Sequence, residues 1–326
     1  MTTVSDNAPG EASERIGARA VLRRIHLTTA IRLCGATAIL AWALATPGFL
    51  SRLSIFSMLT SISFVGCVAI GMTFITLSGN IMSLALGATV SAASVVFMTS
   101  LGTGVVFAAV IALVFAGALT AIQGALVGFF RANPILVSIA ALACILGFAD
   151  VFTGGQRVYP GGEGFALLRS RPLGIPVETL IFLAAAVIGQ LILSTTRLGR
   201  EVVMTGSNRR ASETAGLNTP AAVTWAYAIA GVATALAGIL LSARYGSGDM
   251  DIGTGYEYRA IAAVLVGGNA IAGGAGSVWR SCVGVTVLAA IEMTVRLRGF
   301  SEEWQYFFTG LVVLGVVMLQ ASGGRR

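Results

Sequence analysis

Long hydrophobic runs, separated by short polar breaks, follow one another along most of the chain. The longest stretch, from Leu53 to Phe130, contains no Asp, Glu, Lys, Arg or His. Because a helix needs about 20 mainly apolar residues to cross a bilayer, this stretch predicts three passes, broken at residues 78–80 and 100–104. With the remaining runs, the pattern predicts an all-α, polytopic membrane protein of about ten transmembrane helices, some of them broken or short. The remaining runs cover residues 33–50, 135–152, 179–196, 219–242, 260–276, 281–295 and 304–321.

The composition excludes a water-soluble domain and most kinds of enzyme. Only 11% of the residues are charged, against about 25% in a typical soluble domain. The sequence has no Lys, so it contains neither the P-loop Lys that binds ATP phosphates nor a Schiff-base Lys. One His and four scattered Cys give little material for a metal site or a catalytic triad. We therefore expect no catalytic residue, no metal and no cofactor, and any ATP that drives this protein would be hydrolysed on another chain.

The net charge of +7 indicates an orientation in a membrane and gives no reason to expect nucleic acid as a partner. With ten spans, the Arg residues are in excess on the side of both termini, and such an excess marks the cytoplasmic side. This arrangement predicts a polar cytoplasmic tail at residues 1–29, a transmembrane domain at 30–321 and a second cytoplasmic tail at 322–326. It also places Glu178 and Glu257 among the acidic residues on the outer side.

The one long loop predicted on the cytoplasmic side covers residues 197–218. Within it, residues 209–215 can form two helical turns, with Asn208 as the N-cap and Gly216 ending the helix. A short polar helix between two spanning helices has no hydrophobic core of its own to join. Two interpretations are open: the helix is a solvated connector, or it binds a cytoplasmic partner.

Two glycine-containing breaks interrupt apolar runs, one at Gly79-Asn80 and one at residues 267–276. Non-helical backbone at membrane depth occurs only where protein buries it or where it lines a water-filled cavity, and paired breaks in two halves of a transporter indicate a translocation site. The alternative is that both breaks are ordinary turns at the membrane surface.

Acidic residues are almost absent from the apolar runs, with Glu292 as the exception. Its spacing to Arg296 favours a helical ion pair over a role in a proton relay. Ion-driven carriers commonly use intramembrane acids, so their scarcity argues against ion-coupled transport and against enzymes that need clustered Asp.

The run Gly199-Arg-Glu-Val-Val-Met-Thr-Gly-Ser-Asn208, followed by Ala215-Gly-Leu-Asn218, resembles the permease subunits of ribose-type (monosaccharide) ABC importers. The resemblance extends from about residue 50 to about residue 320. It implies a multi-pass permease subunit in a bacterial inner membrane that forms the path for a sugar or a similar small polar solute. The implied partners are cytoplasmic ATP-binding subunits, a periplasmic or extracellular solute-binding protein, a second permease subunit in a homodimer or heterodimer, and the lipid bilayer. Further matching segments are Asn133-Pro-Ile-Leu-Val-Ser, Phe152-Thr-Gly-Gly-Gln156 and Gly253-Thr-Gly-Tyr-Glu, which leads to Gly-Gly-Asn269.

The resemblance also assigns roles to residues of the loop at 197–218, which we call the coupling loop. Its central part would be the coupling helix that sits in a cleft of the ATPase and transmits the closure of that subunit to the transmembrane helices. The candidate residues of this contact are Gly206, Asn208, Glu213 and Gly216.

Two departures from the family pattern leave the solute open. Met82 and Arg259 each stand where that family commonly has Asp, in segments expected to line or flank the path. The candidate path residues are Asn80, Met82, Ser83 and Asn269. Nucleosides and branched-chain amino acids remain alternative solutes, and an ATP-independent secondary carrier or channel remains an alternative class.

Overall fold

The computed structural model describes residues 45–80, 82–160, 169–170 and 174–323. Across these ranges every regular element is a helix, and the β-type pairing is one isolated antiparallel bridge between Val158 and Gly248. The predicted all-α fold is therefore confirmed. The helices are α1 (Arg52–Leu77), α2 (Leu86–Ser100), α3 (Val105–Phe129), α4 (Pro134–Thr153), α5 (Val177–Thr195), α6 (Arg197–Ser207), α7 (Arg209–Thr214), α8 (Thr219–Tyr245), α9 (Tyr256–Val266), α10 (Val278–Leu297) and α11 (Glu302–Gly323), with a 3-10 turn at Leu101–Thr103.

Within the described residues, seven helices are long and apolar enough to cross a membrane: α1, α2 with its 3-10 turn, α3, α4, α5, α8 and α10. Helix α9 has only 11 residues, so the predicted span at 260–276 consists of a short helix and the break that follows it. The apolar part of α11, Glu303–Met318, is shorter than a full span. The predicted run at 33–50 lies mostly outside the described residues. The structure thus has the helices of a multi-pass membrane protein without confirming the count of about ten.

Helix α8 lies at the centre of the bundle, whereas α4 lies at its edge. In the most apolar window of each helix, 78% of the residues of α8 are buried but only 17% of those of α4. Small residues let α3 approach α8 closely: a Cβ added at Gly231 would lie 2.3 Å from the carbonyl oxygen of Ala116. On α4, Phe148 and Val151 are 72% and 85% exposed. Such a surface suits contact with lipid rather than with water.

Helices α2 and α9 begin inside the bundle instead of at its ends. The segment between α8 and α9 turns back along α2, where the backbone N–H of Gly253 donates to Ser91 Oγ at 3.0 Å. In the first turn of α9, the carboxylate of Glu257 lies against Gly87. This point is about 20 Å along α2 from Ser100, at 1.5 Å per residue. The two short helices therefore start side by side at about the same depth.

The structure places Glu178 and Glu257 in helices rather than in loops. Both are in the first turns of helices, α5 and α9, and are only 3% and 8% exposed. Glu178 is buried because Arg244 of α8 reaches it, with Nη1 3.6 Å from Oε1. Glu257 is buried because the chain before α9 returns into the bundle along α2.

The first half of the predicted loop at 197–218 is also helical. Helix α6 covers Arg197–Ser207 and follows α5 after a kink at Thr196, whose side chain accepts the backbone N–H of Gly199. Apolar side chains on one face of α6 explain this difference: Val202 is fully buried, while Arg197 on the polar face remains exposed.

Candidate functional site: coupling loop and polar cavity

Helix α7, in the second half of the coupling loop, forms where the sequence predicts it. It covers Arg209–Thr214, and the side-chain oxygen of Asn208 caps it by accepting the backbone N–H of Ala211 at 3.1 Å. Gly216 follows with a φ of +79°, a conformation that glycine adopts without strain. The predicted N-cap and helix end are thus confirmed, because both are decided by residues that are neighbours in the chain.

Glu213 of α7 is engaged within the chain. Its carboxylate lies 3.2 Å from Arg131 Nη2 and 3.1 Å from Arg209 Nε, and it accepts the hydroxyl of Thr219 at 3.0 Å. The hydrogen bond from Arg209, followed by that from Thr219, lowers the pKa of Glu213 below its ordinary value. Arg209 also donates to the carbonyl of Gly128 at the end of α3, at 2.8 Å. Glu213 and Arg209 together hold α7 against the ends of α3 and α8.

Gly206 lies in a different environment from the one expected of an ATPase contact. A Cβ added to it would lie 1.9 Å from the carbonyl oxygen of Leu77 and 2.8 Å from the backbone nitrogens of Gly79 and Gly274. No side chain fits there, so the end of α6 packs directly on the backbone of the first break, after α1. Sequence reasoning selected this residue but did not foresee its neighbours.

The second break, between α9 and α10, joins the same contact. The backbone N–H of Gly274 donates to the carbonyl of Leu77 at 3.1 Å, and a Cβ at Gly273 would lie 2.5 Å from the Cα of Gly79. The ends of α1 and α6 and the second break therefore meet backbone to backbone. We call this contact, formed by Leu77, Gly79, Gly206, Gly273 and Gly274, the glycine joint.

Asn269 fixes the shape of the second break. It is fully buried, and its Nδ2 donates to the carbonyl of Val264 at 3.2 Å and to Ser281 Oγ at 2.8 Å. Its Oδ1 accepts the backbone N–H of Ser277 at 2.8 Å. Ser281 in turn shares a 2.6 Å hydrogen bond with Thr73 of α1. This predicted path residue therefore ties together α9, α10 and α1.

The other three predicted path residues lie at or just after the first break. Asn80 is buried and its Nδ2 donates to Ser78 Oγ at 2.7 Å, whereas Met82 packs against the main hydrophobic core. Ser83 is fully buried, and its hydroxyl has no hydrogen-bond partner among the described residues. The structure brings the two breaks together through the glycine joint, but none of the four path residues lines the cavity described next.

A polar cavity of about 630 Å³ opens at the opposite end of the bundle, between α1, the segment before α9, and α10. About 30 Å of α1 separates Ser57 in its wall from Leu77 in the glycine joint. The wall carries five Ser or Thr hydroxyl groups, four Arg, two Asp and two Tyr, against two apolar side chains, Phe64 and Ile252. Sequence reasoning missed this cavity. A signal was present, since Asp249, Asp251, Glu257 and Arg259 cluster in a chain with few charges.

Three ion pairs surround the cavity, and each joins two different elements. Arg157 Nε lies 2.6 Å from Asp249 Oδ2, and Arg244 pairs with Glu178 as described above. Arg259 Nε of α9 lies 3.6 Å from Glu292 Oε1 of α10. The sequence pointed to Arg296 as the partner of Glu292; instead Arg259 takes this place, and Arg296 donates to Gln305 Oε1 at 3.5 Å.

In the described part of the chain, no three His, Cys, Asp or Glu side chains lie close enough together to hold a metal ion.

These features define a class of protein: a multi-pass membrane protein with a polar cavity at one end and a capped surface helix at the other. A comparison with protein families matches residues 54–317 to "Branched-chain amino acid transport system / permease component". The chain belongs to this permease family.

Curated relatives cover most of the chain. The ribose import permease protein RbsC of Bacillus subtilis is 31% identical over 282 residues, which are 85% of this chain and 87% of the relative. The L-arabinose transport system permease protein AraH of Escherichia coli is 29% identical, covering 86% of each chain. The autoinducer 2 import system permease protein LsrD of Yersinia enterocolitica is 28% identical, covering 78% of this chain and 79% of the relative. No solved structure gives a significant match.

Proposed function

We propose that this chain is the permease subunit of an ABC importer and forms the membrane path for a sugar or a similar small polar solute. The relatives named above are permeases for ribose, L-arabinose and autoinducer 2. The observation that carries the proposal is the glycine joint, where the end of α6 packs without side chains against both helix breaks. It gives a surface helix a rigid connection to the break after α9, the short helix that carries Tyr256 and Arg259 into the cavity wall.

The coupling loop docks the ATP-binding subunits, which carry the ATPase site that this chain lacks. Asn208 and Arg210 are exposed on the loop, and α7 is held on the body by Glu213 and Arg209. A push on α7 passes through α6 to the glycine joint and moves the segments before α2 and after α9. Because α9 carries Tyr256 and Arg259 into the cavity wall, the push changes the cavity about 30 Å away.

The remaining parts of the assembly follow from the same proposal. The coupling loop faces the cytoplasm of a bacterial cell and the cavity faces the opposite side of the inner membrane, where a solute-binding protein delivers the solute. A second permease subunit, identical or related, completes the path. The family description favours branched-chain amino acids as a second candidate solute.

Reconstitution tests the function directly. The permease is assembled in proteoliposomes with an ATP-binding subunit and a solute-binding protein from the same organism, and uptake of radiolabelled ribose, L-arabinose and leucine is measured. We expect uptake of one pentose that requires both ATP and the binding protein. Uptake driven by a proton or sodium gradient without ATP identifies a secondary carrier and refutes the proposal, and leucine as the preferred solute supports the second candidate.

A further inference from the structure

We infer that Arg259, held in place by Glu292, Tyr256 and Tyr306, is the residue of the polar cavity that contacts the solute, an uncharged, polyhydroxylated ring. This inference rests on the proposed function and adds the residue that binds the solute. None of the four residues belongs to the path predicted from the sequence.

Arg259 has the position and the rigidity of a binding residue. It lines the polar cavity, and its side chain is only 18% exposed. Its guanidinium carbon lies 5.8 Å from the ring centre of Tyr256 and 5.5 Å from that of Tyr306, within the range of cation–π contacts. Two rings and one carboxylate restrict its rotamers, so little side-chain entropy is lost when a solute binds.

The geometry leaves part of the guanidinium group available for a solute. The contact with Glu292 is made at Nε and one further hydrogen bond goes to Tyr306, whereas a guanidinium has five N–H donors in a planar fork. The remaining donors match two neighbouring hydroxyl oxygens on a sugar ring. The carboxylates of Asp249 and Asp251, also in the wall, supply acceptors for hydroxyl protons.

The charges in the wall favour a neutral solute. Arg259 is balanced by Glu292 and Arg157 by Asp249, while Arg244 is balanced by Glu178. The two remaining charges in the wall, Asp251 and Arg296, have opposite signs. The wall residues and their ion-pair partners therefore carry no net charge, so the cavity as a whole gives a charged solute no net electrostatic compensation for its lost hydration.

The wall is also unsuited to an aliphatic amino acid. Its two apolar side chains besides the Tyr rings, Phe64 and Ile252, are outnumbered by five hydroxyl groups and six charged groups. A branched aliphatic side chain would leave many of these polar groups without a partner, which is costly. A volume of about 630 Å³ is ample for one monosaccharide. The cavity thus discriminates between the two solute classes that the comparisons name.

A protection experiment on the assembled transporter tests the site without relying on transport. Thr254, in the cavity wall, is replaced by Cys, and its alkylation by a charged maleimide is followed by mass spectrometry of the peptide that contains it. We expect ribose or L-arabinose to slow this alkylation about tenfold, and ribonate and valine to leave it unchanged. Stronger protection by ribonate or by valine overturns the assigned class, and no protection by any of them overturns the site.

The variant Arg259→Lys provides a second test of the site. It keeps the positive charge that balances Glu292 and removes only the planar fork of N–H donors. We expect the solute concentration for half-maximal protection, and KM for uptake, to rise about tenfold or more. Arg298→Lys, an exposed Arg at the end of α10 outside the cavity wall, is the matched control. If Arg259→Lys changes neither KM nor protection, the inference is refuted. If the wild-type assembly shows normal protection but no uptake, only the proposed function is refuted.

Discussion

The Cα of Gly206 in the coupling loop lies so close to the carbonyl oxygen of Leu77, at the end of α1, that an added Cβ would stand 1.9 Å from it. The two residues are far apart in the sequence and belong to a surface helix and a central helix. A contact between two backbones cannot be adjusted by a change of side-chain rotamer. Any movement of α6 must therefore move the end of α1 and the two breaks beside it.

Gly206→Ala should uncouple the loop from the helix breaks. The added methyl group forces the backbones apart at an overpacking cost of about 1–3 kcal/mol, so we expect uptake to fall about tenfold while the ATP-binding subunit still co-purifies. Gly310→Ala in α11 is the control, because nothing lies within 4 Å of a Cβ there. The proposed joint is wrong if both variants transport equally well.

Asn208 allows its role as a cap to be separated from a direct contact with the ATPase. Asn208→Ala removes the cap of α7 at a cost of about 1 kcal/mol, whereas Asn208→Ser keeps a capping oxygen. We expect faster hydrogen exchange in residues 209–214 and weaker binding of the ATP-binding subunit for Ala, and near-normal values for Ser. Equal loss of binding in both variants, with α7 intact in the Ser variant, would instead show that the amide group touches the partner.

Protonation of Glu213 should release α7 at low pH. The pKa of this carboxyl is lowered from its ordinary value of 4.5, and the hydrogen bond from Arg209 is the largest cause. A lowered pKa means that the ionised form stabilises the folded loop. This stabilisation is complete above pH 4.5 and is lost as the pH falls through the lowered value.

Hydrogen exchange of residues 209–217, corrected for the intrinsic effect of pH, measures this release. We expect protection to be constant from pH 7 to 5 and to decrease below pH 4.5 in the wild type. Glu213→Gln, which has no such titration, should show low and pH-independent protection. A wild-type profile that matches that of the Gln variant contradicts the assignment.

Asn269 should matter more for stability than Asn80. Asn269→Ala leaves the backbone N–H of Ser277 without its partner and removes one of the two partners of the buried hydroxyl of Ser281, at a cost of about 1–3 kcal/mol. Asn80→Ala removes a single side-chain hydrogen bond, to Ser78. We expect a clear decrease of Tm for the first variant in detergent and a smaller one for the second. The reverse order would mean that Asn269 is not the residue that holds the second break.

Features that depend on composition or on neighbours in the chain were predictable. The apolar run from Leu53 to Phe130 predicts several membrane helices because length and polarity alone decide whether a helix can cross a bilayer. The cap at Asn208 and the helix end at Gly216 were predictable because each depends on residues within one helical turn. The resemblance of residues 199–208 to ribose-type permeases pointed to the family that the comparisons then identified.

The sequence by itself therefore determined a multi-pass helical protein, the short helix α7 and the absence of a P-loop Lys. Only the tertiary structure decided that Gly206 meets Leu77 and that Arg259 pairs with Glu292. The physical reason is that hydrophobicity drives a helix into a membrane but does not select its neighbouring helices, since lipid is as apolar as the helix surface. That choice depends on the close packing of backbones and on buried polar pairs between residues distant in the chain, and hydropathy contains neither.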